Sequence, residues 1–100
     1  MNKTEFVAEV AARTELTVGQ AQAAVDAVME VIGHRTALGE KVVLTGFGTF
    51  GSRDVPARMV RNPATGEPMH KGATRKPTFK AGSALRSVVA GEALIPAERR

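Results

Sequence analysis

The chain has 100 residues, no cysteine, only four aromatic residues, all phenylalanine, and a formal net charge of +4 at neutral pH. The missing thiols exclude a disulfide framework and a thiolate metal site and fit a reducing compartment, and no apolar run approaches a membrane span. The charge is polarised, with four basic residues against six acidic over 1–52 but eight against two over 53–86, so a polyanion is the natural partner of the second stretch.

Asn2 with Glu5 three residues later has the form of a capping box, and Phe6, Val7, Val10 and Ala11 follow at helical spacing, which predicts a short amphipathic helix. Asn2-Lys3-Thr4 also spells a glycosylation acceptor. Charged and apolar residues alternate over Met1 to Val10, however, leaving no signal-peptide core, and the protein is expected in the cytoplasm. Thr17 with Gln20 repeats the capping signal. Ala21, Ala24, Val25, Val28 and Ile32 then form a stripe running to about Leu38, where Gly39 can close a second helix antiparallel to the first. Alanine buries little area, so the two helices are expected to pack against more than each other.

The pattern changes at Lys41. Val42, Val43 and Leu44 form a β-branched-rich strand that stops at Gly46, and Thr49-Phe50 opens a second strand after the turn. That strand extends outward through Pro56, which marks an edge or a bulge. The chain turns at Asn62 to Gly66 and returns through Met69, Lys71, Ala73 and Arg75 to Thr78-Phe79. About ten residues a side at ~3.3 Å each predict an arm of roughly 30 Å over residues 53–76. As an isolated two-stranded ribbon it is marginally stable, and a bulge leaves its arginines unsorted between the two faces. Ala84, Leu85, Val88 and Val89 predict a short third helix ended by Gly91, weakly capped because Ala81 offers no side-chain oxygen. Residues 92–100 have no periodicity and are expected to form a frayed tail after a single domain, 1–91.

Gly46-Phe47-Gly48-Thr49-Phe50-Gly51 spells the G-x-G-x-x-G of a dinucleotide loop. That site needs a helix N-terminus directly after the glycines, and Ser52-Arg53-Asp54-Val55-Pro56 is no helix. A tight β-turn with Phe47 and Phe50 buried on either side of it is the better reading. The RNA-recognition signature fits poorly, because Thr45 and Thr49 occupy its basic and aromatic slots and there is no Tyr or Trp. His34 and His70 have no carboxylate pair or second ligand at a useful spacing, and Ser52, Ser83 and Ser87 have no identifiable base. No metal, cofactor or enzymatic activity is therefore expected. Pro63, at the end of a cationic arm, has the rigid apolar shape of a wedge able to enter a base step.

Taken together, Gly46-Phe47-Gly48-Thr49-Phe50, Arg61-Asn62-Pro63-Ala64-Thr65-Gly66 and Pro77-Thr78-Phe79-Lys80-Ala81-Gly82-Ser83-Ala84-Leu85 closely resemble the bacterial histone-like HU proteins and their relative, integration host factor. The resemblance runs from Met1 to about Ala90. It implies an α+β fold and an intertwined homodimer: a base of two N-terminal helices, a three-stranded antiparallel sheet with a long β-ribbon arm, and a short C-terminal helix. Phe47, Phe50 and Phe79 would pack the dimer core. Arg53, Arg58, Arg61, Asn62, Lys71, Arg75 and Lys76 would contact phosphates or line the minor groove, while Lys80 and Arg86 would flank the saddle floor. Pro63 of each arm would intercalate, a kinking mode that belongs to the family and is not deduced from these residues. The implied partner is double-stranded DNA in the nucleoid, bound with little sequence specificity and best where bent, nicked or branched. A sequence-selective subunit similar to integration host factor, or an RNA-binding module, are the alternatives. Val18 and Ser83 stand where relatives often have lysine, which implies fewer contacts from the body, and Ala81 stands where the family usually has Ser or Thr.

Overall fold

The computed structural model describes residues 1–92; of the tail expected over 92–100, only Glu92 is among them, its N–H donating to the Ser87 carbonyl at 2.8 Å, and 93–100 lie outside the described residues. Two helices open the chain, α1 (Lys3–Ala12) and α2 (Val18–Ala37). Both predicted capping boxes form. Asn2 Oδ1 accepts from the Glu5 N–H at 2.9 Å and Glu5 Oε1 accepts from the Asn2 N–H at 3.3 Å. Thr17 and Gln20 exchange the same two bonds at 3.1 and 2.9 Å, so each helix start satisfies N–H groups that lack an intrahelical partner. α2 closes where Gly39 takes φ +83, with the Gly39 and Glu40 N–H groups reaching back to the Thr36 and Arg35 carbonyls, both at 3.0 Å. Lys3, at the start of α1, pairs with Asp26 at 2.6 Å, which sets the helices antiparallel.

Between them lies a core of only Val7, Ala21 and Val25, with Val10 and Ala11 packed against it. Of the rest of the predicted stripe, Ile32 is half-buried, while Val28 is 53% exposed and Leu38, at its end, 58%. This is the shortfall expected of an alanine-rich stripe, and no large side chain among the described residues is fully buried.

Five strands and a helix follow: β1 (Val42–Leu44), β2 (Gly48–Val55), β3 (Arg58–Arg61), β4 (Pro68–Lys71), β5 (Thr74–Ala81) and α3 (Ser83–Val89). β1, β2 and β5 make a three-stranded antiparallel sheet in the order β1-β2-β5, while β3 and β4 pair separately as a two-stranded ribbon. The break between these sheets corrects the expected bulge. Val55 stands opposite Thr74 and Arg58 opposite Lys71, so Pro56-Ala57 faces Gly72-Ala73, two residues against two. A bulge needs unequal counts; here the ladder pauses around a residue without an N–H and resumes in the same register.

The start of α3 also differs from expectation. Its N-cap is Gly82 rather than Ala81, with no side-chain cap. The turn between β1 and β2 caps it instead: the Leu85 N–H donates to the Gly46 carbonyl at 3.0 Å and the Gly82 N–H to the Phe47 carbonyl at 2.8 Å. Two backbone bonds thereby tie helix three to the turn of the sheet.

The outcome is an elongated molecule of 58 × 33 × 28 Å. Its radius of gyration is 18.7 Å, against about 13 Å for a compact domain of this length.

Candidate nucleic-acid interface

An unbroken register sorts the arm's side chains. Residues alternate between faces along a strand and directly paired residues share one, so Thr49 with Lys80, Gly51 with Thr78 and Arg53 with Lys76 define one face of the β2-β5 ladder. The opposite face carries Phe50 with Phe79 and Asp54 with Arg75, and it looks toward α2. Arg53, Lys76 and Lys80 thus share an exposed face turned away from the helices, and none of them makes an ion pair among the described residues.

Arg75 departs from the sequence expectation. Its Nη1 donates to the Ala37 carbonyl at 2.8 Å and its Nε to Asp54 Oδ1 at 3.0 Å. A cation at the negative end of α2 is favourably placed. Arg75 therefore ties the base of the ribbon to the end of α2, on the face opposite Arg53 and Lys76. The signal for this was the Asp54-Arg75 pair, which becomes visible only once the register is known.

In the outer ribbon Arg58 and Lys71 are directly opposite and share a face with Val60 and Met69; Arg61, Pro68, Met59 and His70 make up the other. The outer cations are consequently split between both faces. Arg58 opposite Lys71 and Arg53 opposite Lys76 are like-charge cross-strand pairs, an arrangement that disfavours an isolated ribbon. Arg86 lies in the last turn of α3 and belongs to neither ribbon face.

At the tip, Asn62 organises the turn rather than only presenting an amide. Its N–H donates to the Glu67 carbonyl at 2.8 Å, its carbonyl accepts from Gly66 at 2.7 Å and its Oδ1 accepts from Ala64 at 2.8 Å. Gly66 takes φ +75, and Arg61 Nη1 closes the loop onto the Gly66 carbonyl at 2.6 Å. Pro63 follows Asn62, where a residue without an N–H leaves nothing unsatisfied, and it is exposed at the end of the arm.

Phe47, Phe50 and Phe79 form one cluster. Ring centroids of Phe50 and Phe79 are 4.7 Å apart, Phe47 and Phe79 5.7 Å, and Phe47 and Phe50 6.4 Å with planes at 23°. Phe47 and Phe50 are therefore stacked together rather than buried on either side of the turn, and Phe47 and Phe79 are each 47% exposed. Gly48 permits this approach: a Cβ there would lie 2.6 Å from Phe79 Cζ and 2.7 Å from the Lys80 carbonyl oxygen. The G-x-G-x-x-G letters thus build a turn and a tight sheet crossing.

The sequence profile of a family described as bacterial DNA-binding protein matches residues 1–90. The chain belongs to this family. It is a family of DNA-binding architectural proteins and not of enzymes. The chain is 51% identical to the DNA-binding protein HU of Lactococcus lactis over 88 residues, covering 88% of this chain and 97% of that protein. To HU-beta of Pseudomonas fluorescens it is 46% identical over 89 residues, covering 89% and 99%. Among solved structures, an Anabaena HU–DNA cocrystal aligns with a TM-score of 0.82 at 47% identity, over 90% of this chain and 98% of that one. A solution structure of a mutant of transcription factor 1 aligns at 0.62 and 31%, over 91% and 92%. The family's α+β plan, with helices before a three-stranded antiparallel sheet and a short helix after it, is the plan of this chain.

Proposed function

We propose that this protein binds double-stranded DNA with little sequence specificity, as a homodimer whose two arms follow the minor groove and bend the duplex, within the cytoplasmic nucleoid. The observation that carries the reading is the stacking of like charges along the ribbon: Arg53 opposite Lys76 and Arg58 opposite Lys71, with no acidic partner for any of the four among the described residues. Such pairs weaken a free ribbon and gain favourable contacts only when phosphates lie alongside. Lys80 extends the inner face toward the body, Arg61 and Asn62 hold the tip, and Pro63 is the wedge. Arg86 supplies charge from α3. Arg75 acts indirectly, by fixing the angle of the arm's base. That the Anabaena HU similar to this chain crystallised with DNA supports the same partner here.

Dimerisation follows from the phenylalanine cluster and the bare side of α2. Phe47, Phe79 and Val28 are each 47% exposed or more in the single chain, and a second copy would cover them. Residues 1–91 are the binding unit in this reading.

If two arms and the floor engage on the order of 6 to 10 phosphates, affinity falls about 10³-fold to 10⁵-fold between 50 and 200 mM salt. Bending a short duplex costs roughly 1 to 6 kcal/mol, and less where the DNA is nicked or flexible, so distorted DNA is favoured. The test is a gel-shift series on intact, nicked and four-way DNA at two salt concentrations, alongside selection from a random-sequence pool. Tighter binding to the distorted forms with no enriched motif is expected. A single enriched motif, or equal binding to structured RNA, overturns the reading. Pro63→Ala is expected to reduce the bend, measured by fluorescence transfer between duplex ends, more than it reduces affinity; equal bending by variant and parent removes Pro63 as the wedge.

A further inference from the structure

The outer ribbon carries one titratable group that the sequence left without a role. His70 lies in β4 directly opposite Met59, on the ribbon face that also holds Arg61 and Pro68. It is exposed and has no hydrogen bond or ion pair among the described residues. From β3, the one strand paired with β4, the only charged group on that face is Arg61, and β4 itself adds none. Lys71 and Arg58 point from the other face, and the only carboxylate in the outer ribbon is Glu67, in the turn just before β4.

We propose that His70 is an additional phosphate contact of the arm, made in its imidazolium form, so that DNA binding is coupled to proton uptake. This deepens the DNA-binding reading and rests on it. An imidazole changes charge between pH 5 and 8 more readily than any other side chain. Alongside a polyanion, phosphate oxygens favour the charged ring and accept its N–H. A group that gains protons on binding makes affinity rise as pH falls. The two arms of a dimer carry two such rings.

The signature is a change in counterion release. Each added cation on the DNA steepens the dependence of log affinity on log salt by about 0.9, so two rings steepen it by up to about 1.8 at pH 5.5 relative to pH 8. At 0.1 M salt the same two charges tighten binding by about tenfold or more.

The experiment measures affinity for a random-sequence duplex by fluorescence anisotropy, across salt concentrations at pH 5.5 and pH 8, for the parent, His70→Gln, His70→Lys and His34→Gln. His34, in the last turn of α2, is the control for the other histidine. The expected result is a slope that changes with pH in the parent and in His34→Gln, one that is the same at both pH values in His70→Gln, and a steep slope at both pH values in His70→Lys. A His70→Gln slope that still changes with pH as the parent's does overturns the inference while leaving DNA binding intact. So does a His70→Lys slope that keeps the parent's pH dependence, which decides the matter if the Gln variant is misfolded by circular dichroism. Failure of the parent to bind duplex at either pH instead overturns the function on which the inference stands.

Discussion

The inner and outer halves of the ribbon share one register and differ in what holds them. The inner half, β2 with β5, is braced from outside: β1 pairs along its edge, Arg75 ties it to the end of α2, Gly48 lets Phe79 lie against it, and α3 starts from its turn. The outer half, β3 with β4, has only its own ladder and the Asn62 turn, and it carries directly opposed cations. The same antiparallel geometry therefore serves as scaffold at one end and as a ligand-dependent element at the other. The difference lies in the tertiary contacts each half makes, since a bare two-stranded ribbon is only marginally stable.

The comparison is broken most forcefully by reversing charge in the outer half. Arg58→Glu with Arg61→Glu is expected to weaken duplex binding about 10²-fold to 10³-fold at 0.1 M salt, equally for every sequence. Thermal stability should stay within about 0.5 kcal/mol of the parent, because exposed positions contribute little to it. A loss confined to one sequence contradicts phosphate contact, and a collapse of stability contradicts the view that the outer half is not needed for the fold.

Two glycines sharpen the contrast at the level of packing. Gly48→Ala drives a methyl into Phe79 and the Lys80 carbonyl, with backbone on one side and a clustered ring on the other. The expected cost is roughly 1–3 kcal/mol, a fall in Tm of several degrees or more by scanning calorimetry. Gly72→Ala, in the gap between the halves, meets nothing within 4 Å and should leave Tm unchanged. Equal effects at the two positions would remove the distinction between a packed base and an open outer arm.

A smaller loss than that at Gly48 is expected at the junction. Arg75→Ala loses the bond to the Ala37 carbonyl and the pair with Asp54, whose carboxylate is 83% exposed, so the ion pair itself contributes little. About 1 kcal/mol of stability should be lost, mostly through the carbonyl bond. Hydrogen exchange should quicken in β2 and β5 near Asp54 and Arg75, with no change at α1. If exchange there matches the parent, Arg75 is not what holds the ribbon's base.

Much of this arrangement is legible in the letters. Asn2 and Glu5, Thr17 and Gln20, Gly39, and the Asn62 to Gly66 turn each act through bonds spanning five residues or fewer, so sequence spacing specifies them. The strand runs and the charge imbalance were equally visible, and with them an arm of cations. The sequence did not reveal which cations share a face. That depends on whether the ladder shifts at Pro56, and a one-residue shift would have moved every side chain to the other side.

The sequence by itself determined where the first two helices and the tip turn begin and end, and that a positively charged arm exists, because these follow from local backbone satisfaction and from composition. Only the tertiary structure decided that Arg75 is bound to the Ala37 carbonyl rather than aligned with Arg53 and Lys76, that Gly46 caps α3, and that Phe47, Phe50 and Phe79 form one half-exposed cluster. Each of those contacts joins residues brought together by strand pairing or by the packing of a turn, and pairing is fixed by the whole ladder at once, not by any short stretch of chain.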